Sequence, residues 1–303
     1  MSKIVGIGAC VMDTLMSVPQ YPTEDTKMRA EGSKIAGGGP VATGLVAAAK
    51  LGEDAAFIGV LADDNAGQFL IKDFEKYNVS VDLIEQKSGY RSFMSVIWLS
   101  KVATTRTCVF DKGDLPKLVL SDEQRDAIKN AELLMVDGNE LDAAVDAAKY
   151  ARENGVKVLY DAGGLYDGVE RLLKYADILI PSEEFALGHT KTDSIEAAAK
   201  CLYEMYNPEI VVITCGKRGG ILFDGENYIS YPIYPAEVVD SNGAGDVFHG
   251  AFAAGVVKGL SYEQCCHFSS AVSAIKCTGV GARESVPNFE TVKSYLKENG
   301  YEL

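Results

Sequence analysis

The chain has 303 residues, 47% hydrophobic and 24% charged, with a formal net charge of −14. This is ordinary globular composition, and the acidic balance argues against a nucleic-acid partner, which would need a basic face. Seven cysteines without a C-x-x-C pair fit a reducing cytosol rather than a disulfide framework. Residues 4–9 form a short apolar run closed by glycines, which reads as a first, central strand and not a signal peptide. No apolar run reaches the roughly 20 residues that span a bilayer. The strand carries GIGACV at 6–11, which lacks the third glycine of a dinucleotide fingerprint. Asp13 follows it, in the region where open parallel sheets bind ligands. A simple turn Asp is equally compatible with the spacing.

Residues 14–35 differ in character. VPQYPTEDT has two prolines and several turn formers, and 27–35 alternate loosely. Residues 91–99 and 105–110 are β-rich and flank a short polar loop, which predicts a hairpin. Between these segments, GGGPVATGLVAAAKLG at 37–52 places three glycines and Pro40 before a small-residue helix that stops at Gly52; Pro suits a first helical turn. Strands are then predicted at 55–60, 133–136, 156–160, 177–180 and 210–214, with helices at 66–77 and 141–153. Strands separated by helix-length segments imply a parallel sheet covered on both faces. The histidines, His189, His249 and His267, show no metal-ligand spacing, and His249 reads as a core or polar-edge residue. TCGKRGG at 214–220 is either a nucleotide turn or a plain hairpin turn, and it lacks the pattern of a Walker A loop. A further helix is predicted at 262–276.

The most informative stretch is VVDSNGAGDVFHGAF at 238–252. Val238 and Val239 read as a strand end, 240–245 as a polar glycine turn, and 247–257 as a buried helix. A glycine turn at a helix N-terminus presents unpaired N–H groups and partial positive charge, the physical basis of an anion site. Asp246 is out of place there, because a carboxylate repels an anion. It is either a helix cap or a base for the group that attacks a phosphate, and spacing leaves both open.

DSNGAGD at 240–246 resembles the DTTGAGD signature of the PfkB, or ribokinase-like, carbohydrate kinase family; Ser241 and Asn242 replace its two threonines. The GG-plus-alanine-helix segment and most of the chain resemble it too. The resemblance implies a three-layer α/β fold with a mostly parallel central sheet and a small β-sheet lid, discontinuous over 14–35 and 90–110, within one domain spanning 1–303. It implies ATP, Mg²⁺ and a monovalent cation as cofactors. Gly243, Ala244 and Gly245 would form the anion hole, and Asp246 would be the base. Asp13, Gly38, Gly39 and Thr43 would meet the sugar, and Lys27 or Arg29 would meet an acidic group on it. Thr43 and Pro40 stand where many relatives carry asparagines. Thr214, Gly216 and Gly219 would form the nucleotide turn, and Ser182 stands in a degenerate Asn-x-x-Glu motif whose Glu position is Phe185. The helix at 262–276 and the loop after it resemble the adenine side of the nucleotide site, where Gly281 would bind the nucleotide, and Gly281 and Ser285 lie where relatives also hold a monovalent cation.

The wording of GACVMD, GGGPVAT, YPTEDTKMRA, TRTCVFDKGDLP and GAGDVFHGAF leans toward ketohexokinase-like and sulfofructose-kinase-like branches. The expected protein is a cytoplasmic homodimer, paired through the lid, that phosphorylates a ketose or furanose sugar without nucleic-acid or membrane partners. Alternatives are a nucleoside kinase, a kinase of sulfo- or phosphosugars, and a catalytically silent sugar-binding regulator.

Overall fold

A computed structural model describes residues 2–303 except Lys101, Ala103 and Thr104. The apolar runs form one large sheet in the order β14 (Tyr228–Tyr231), β13 (Gly220–Phe223), β12 (Ile210–Thr214), β11 (Ile178–Pro181), β10 (Lys157–Ala162), β9 (Leu133–Asp137), β1 (Ile4–Ile7), β4 (Ala55–Ala62) and β5 (Val79–Ser80), with β6 (Ile84–Lys87) also on β4. Pairing is parallel except in the β12–β13–β14 edge. Both faces of the central strands are buried, which is why they read as continuous rather than alternating apolar runs. Successive residues go to opposite cores: Leu133 and Met135 to one, Leu134 and Val136 to the other.

The first core is closed by α1 (Pro40–Lys50), α2 (Asn65–Lys76), α8 (Ala244–Val257), α9 (Tyr262–Lys276) and α10 (Phe289–Glu298). The second is closed by α3 (Asp122–Lys129), α4 (Leu141–Glu153), α5 (Glu170–Leu173), α6 (Glu183–Thr190) and α7 (Ile195–Tyr206). The result is a three-layer α/β arrangement. No helix among the described residues is long and apolar enough to cross a membrane.

A separate sheet contains β3 (Gly32–Gly38), β2 (Val11–Val18), β7 (Met94–Ser100) and β8 (Thr105–Asp111), in that order. It joins the two β-rich segments but reaches further than 14–35, and residues 27–31 contribute no strand. Asp13 is therefore the third residue of β2 rather than a turn residue beyond β1. β1 itself stops at Ile7, and the N–H of Ala9 turns to the carboxylate of Asp137 at 3.0 Å.

Small residues set how closely α8 approaches the rest. Where α1 and α8 cross, a Cβ added at Gly250 would lie 2.0 Å from the carbonyl oxygen of Gly44. Backbone cannot yield as a flexible side chain can, so Gly250→Ala forces the helices apart. The expected loss is about 1–3 kcal/mol, typical of overpacking, read as a lower urea midpoint; an unchanged midpoint would show that the two helices do not need this contact.

Candidate active site

The candidate residues converge at the C-terminal ends of β1, β9, β10, β11 and β12, where an open α/β sheet forms its ligand crevice. α8 begins there. Its N-cap is Gly243, with φ 74, and no side chain caps it. Asp246 lies in the first turn and is not the cap, which removes the capping alternative. Gly243 is also crowded, since a Cβ would sit 2.5 Å from that of Ala282; at Gly245 a Cβ would meet nothing within 4 Å, so the helix start is open on that side.

Four carboxylates crowd this edge, and three have donors. Asp13 is buried and accepts the Ser95 hydroxyl at 2.6 Å. Asp137 accepts the N–H groups of Ala9, Val41 and Asn139 at 3.0, 3.4 and 2.8 Å. Asp161 accepts the Gly163 N–H and stands 3.2 Å from His249 Nδ1. Asp246 receives no hydrogen bond from any described residue. Burial raises the pKa of Asp246, against the attraction of His249, Arg106, Arg283 and Lys276. Burial likewise raises Asp13 and Asp137, against the hydrogen bonds each accepts.

Histidine 249 is buried, as expected of a core residue, and it also ties the site together. Its Nδ1 is 2.7 Å from the Gly245 carbonyl and its Nε2 is 2.9 Å from the Ile180 carbonyl. It thereby fastens the first turn of α8 to the end of β11.

The triple glycine at 37–39 has a packing explanation that the sequence did not reveal. A Cβ at Gly37 would lie 2.1 Å from Arg283 Nη1, at Gly38 2.0 Å from Asp13 Oδ2, and at Gly39 (φ +96) 2.1 Å from the Ala9 carbonyl. Arg283, 2% exposed, is the organising cation. It pairs with Asp73 at 2.5 Å and donates to the Gly38 carbonyl at 2.9 Å and to Thr43 Oγ1 at 3.3 Å. Thr43 is fully buried, and its hydroxyl accepts from Arg283 Nε.

Lys27 is exposed in the irregular segment between β2 and β3 and makes no ion pair among the described residues. Arg106 of β8 reaches the site instead. Its Nη1 donates to Asn242 Oδ1 at 2.8 Å, and its charge acts on both Asp13 and Asp246.

Beside α8 lies a largely apolar cleft of about 620 Å³, lined by Thr214, Gly216, Gly219, Ala244 and Gly245 among others. The 214–220 turn is a hairpin joining β12 to β13 as well as a wall of this cleft. Gly219 has φ +80, and a Cβ there would meet the Tyr231 carbonyl at 2.2 Å. Ser182 and Gly281 do not line the cleft. Ser182 caps α6, its hydroxyl accepting from the Phe185 N–H at 3.1 Å. Gly281 donates its N–H to Asp240 Oδ2 at 2.9 Å. Arg283, Asp137 and Arg106 carry no assignment in the sequence, because their partners lie far along the chain.

A helix start open to an anion, a carboxylate that no described residue donates to, and a cleft at the strand ends together make the candidate site. The sequence profile of the pfkB family carbohydrate kinases matches residues 1–288. The chain is similar to a bifunctional ribokinase/ribose-5-phosphate isomerase A of Fructilactobacillus sanfranciscensis, 26% identical over 99% of this chain and 57% of that longer protein. It is 29% identical to a 5-dehydro-2-deoxygluconokinase of Clostridium perfringens, over 88% of this chain and 85% of that one. The structure of Arabidopsis thaliana ribokinase complexed with ribose and ATP superposes with a TM-score of 0.87 at 27% identity, covering 98% of this chain and 99% of that chain. The chain belongs to the pfkB family of carbohydrate kinases, phosphotransferases with an alcohol group as acceptor.

Burial pushes Asp161 up to about 7, against the opposing attraction of His249. The unfolded chain releases that proton near 4. The folded protein therefore holds more protons between about pH 4 and 7, and this group's contribution to stability falls as pH rises through that window. Asp161→Asn should flatten that part of the profile by on the order of 1 kcal/mol per pH unit. Urea midpoints of both proteins at pH 5 and pH 8 check this; parallel profiles would exclude Asp161 as the titrating group.

Proposed function

We propose that this chain transfers the γ-phosphoryl group of ATP to a sugar hydroxyl, with Asp246 as the base. The observation that carries the reading is the Asp246 carboxylate, which no described residue donates to, beside the open start of α8. ATP would lie in the cleft along Thr214, Gly216 and Gly219, with its terminal phosphate toward Gly243, Ala244 and Gly245. Their N–H groups and the helix dipole would stabilise charge on the moving phosphoryl group. Asp246 would take the hydroxyl proton as the O–P bond forms and ADP leaves; positioning and electrostatics do most of the remaining work. ATP would enter as its Mg²⁺ complex, the ion keeping several of its waters.

The sugar would sit under the small sheet, acting as a lid, with Asp13 accepting two of its hydroxyls and Gly38 and Gly39 keeping the floor low. Relatives named for ribose and for 5-dehydro-2-deoxygluconate bracket the acceptor class between neutral and acidic sugars. Arg106, whose charge acts on Asp13 and Asp246, would meet an acidic group on the sugar. A nucleoside acceptor or a silent regulator predicts a different outcome in one experiment: a panel of neutral sugars, acidic sugars and nucleosides scored by ADP release. Binding of a sugar without turnover would favour the silent regulator. For an active acceptor, Asp246→Asn should lower kcat by roughly the 10²–10⁴-fold of a lost general base and leave the thermal midpoint and ATP affinity nearly unchanged. Near-normal kcat would sink the assignment.

The small sheet also carries the proposed dimer contact. Ile35, Thr14, Val96 and Val109 lie in one cross-strand row, on the face opposite Asp13 and Ser95. Ile35 is 53% exposed and Val109 56%. An apolar row on a sheet face suits a second copy of the same face. Light scattering should give the mass of two chains at micromolar concentration, and Val96→Asp should give one; a wild-type monomer would refute the pairing.

A further inference from the structure

The turn that precedes α8 is held from behind by one buried charge. Lys276, in the last turn of α9, is 0% exposed. Its ammonium donates to the carbonyl of Asp240 at 2.8 Å and to the carbonyl of Asn242. The N–H groups of Val239 and Asp240 bond the Cys277 carbonyl at 2.8 and 3.1 Å, so turn and helix end are locked together. The Asp240 carboxylate is held in place by the N–H groups of Asn242 and Gly281, at 2.8 and 2.9 Å; burial lowers the pKa of Lys276, and the charge of Asp240 opposes that shift. Convergent main-chain carbonyls with a carboxylate nearby are the donor set that a small cation would use. An ammonium has no acceptor capacity of its own and satisfies such oxygens in the same way.

This donor set does not fit the free monovalent ion expected beside Gly281 and Ser285. The carbonyls of Asp240 and Asn242 are taken by a cation that cannot diffuse away. Gly281 meets the Asp240 carboxylate through its N–H. We infer that Lys276 is a tethered cation: it holds the 240–242 turn, and with it the phosphate-facing start of α8, so that turnover needs no free K⁺ or NH₄⁺. The role of the turn rests on the kinase reading; the occupancy of the cation position does not.

The test uses the full chain and two readouts. The thermal midpoint and, with an acceptor sugar, kcat are measured in potassium chloride and in tetramethylammonium chloride at equal ionic strength. An ion bound only by the folded chain raises the midpoint with its concentration; the wild-type midpoint and kcat should be the same in both salts. Lys276→Met, similar in length but uncharged, should lose about 10²-fold in kcat, the size of removing one preorganised electrostatic contact. Lys276→Ala leaves room for an ion, and potassium or methylammonium should raise its midpoint and restore part of its rate. A wild-type midpoint or kcat that rises with potassium overturns the inference, as does a folded Lys276→Met with full kcat or a folded Lys276→Ala that no cation rescues. If neither variant folds, the wild-type salt comparison decides alone. Failure of every acceptor in both salts would count against the kinase reading, and the midpoint comparison would still settle the cation.

Discussion

The buried guanidinium of Arg283 is the contact on which most of the site depends. It comes from the loop after α9, yet its partners are the Gly38 carbonyl at the end of β3, Thr43 in α1 and Asp73 in α2. One planar group with five donors can satisfy all three at once. Removing it would leave Asp73 as an uncompensated, largely buried charge, an error that costs several kcal/mol. It also fixes the glycines: Gly37 is bare because the guanidinium lies against it, and Gly38 is bare because Asp13 does. The same loop is tied outward, by Lys34 to Glu284 at 2.6 Å and by Lys50 to the Arg283 and Glu284 carbonyls at 3.1 and 2.7 Å. A strand of the small sheet, two helices and the C-terminal loop are thereby held in one register.

A second brace acts on α8. Lys276 pulls the 240–242 turn onto the end of α9, and His249 fastens the Gly245 carbonyl to β11. Gly250 lets α8 settle directly on Gly44 of α1. The first turn of α8 is thus held at its back, at its side and along its length, while the position of Gly245 faces open space. Rigidity with an open face is what a helix end needs to bind an anion without reorganising.

How much of this was legible depended on the range of the forces. α4, β12 and α9 fall on the residues that the apolar patterning indicated. In α9 the Ser261–Gln264 capping box marks the start in four residues of sequence. α3, α7 and α10 were not anticipated; α3 buries only Gln124 and Ile128, too few for a clear stripe. The glycine turn before α8 could be read because a helix start is local. Arg283 could not, because Gly38 lies 245 positions away, and the bond from Ala9 to Asp137 spans 128. Thr43 was placed at the sugar by its position in a motif, and only the three-dimensional contact shows its hydroxyl turned inward to Arg283.

The carboxylates at the strand ends carry the last step of the argument. Crowded like charges raise one another's pKa, and burial adds to this. Asp161 is raised by Asp246 and Asp137 as well as by burial, and Asp13 is raised by burial and by Asp246. Such a cluster is tolerable only if most of its members are spent on hydrogen bonds. Asp137 is spent on the N–H groups that join β1, α1 and β9, and Asp13 holds Ser95. Arg106 crosses from the small sheet to Asn242, and its charge acts on Asp13 and Asp246. Asp246 stands among the charges of Arg106, Arg283 and Lys276 and receives no hydrogen bond from any described residue. Folding alone gains little from such a group, and on that its proposed role as the base rests.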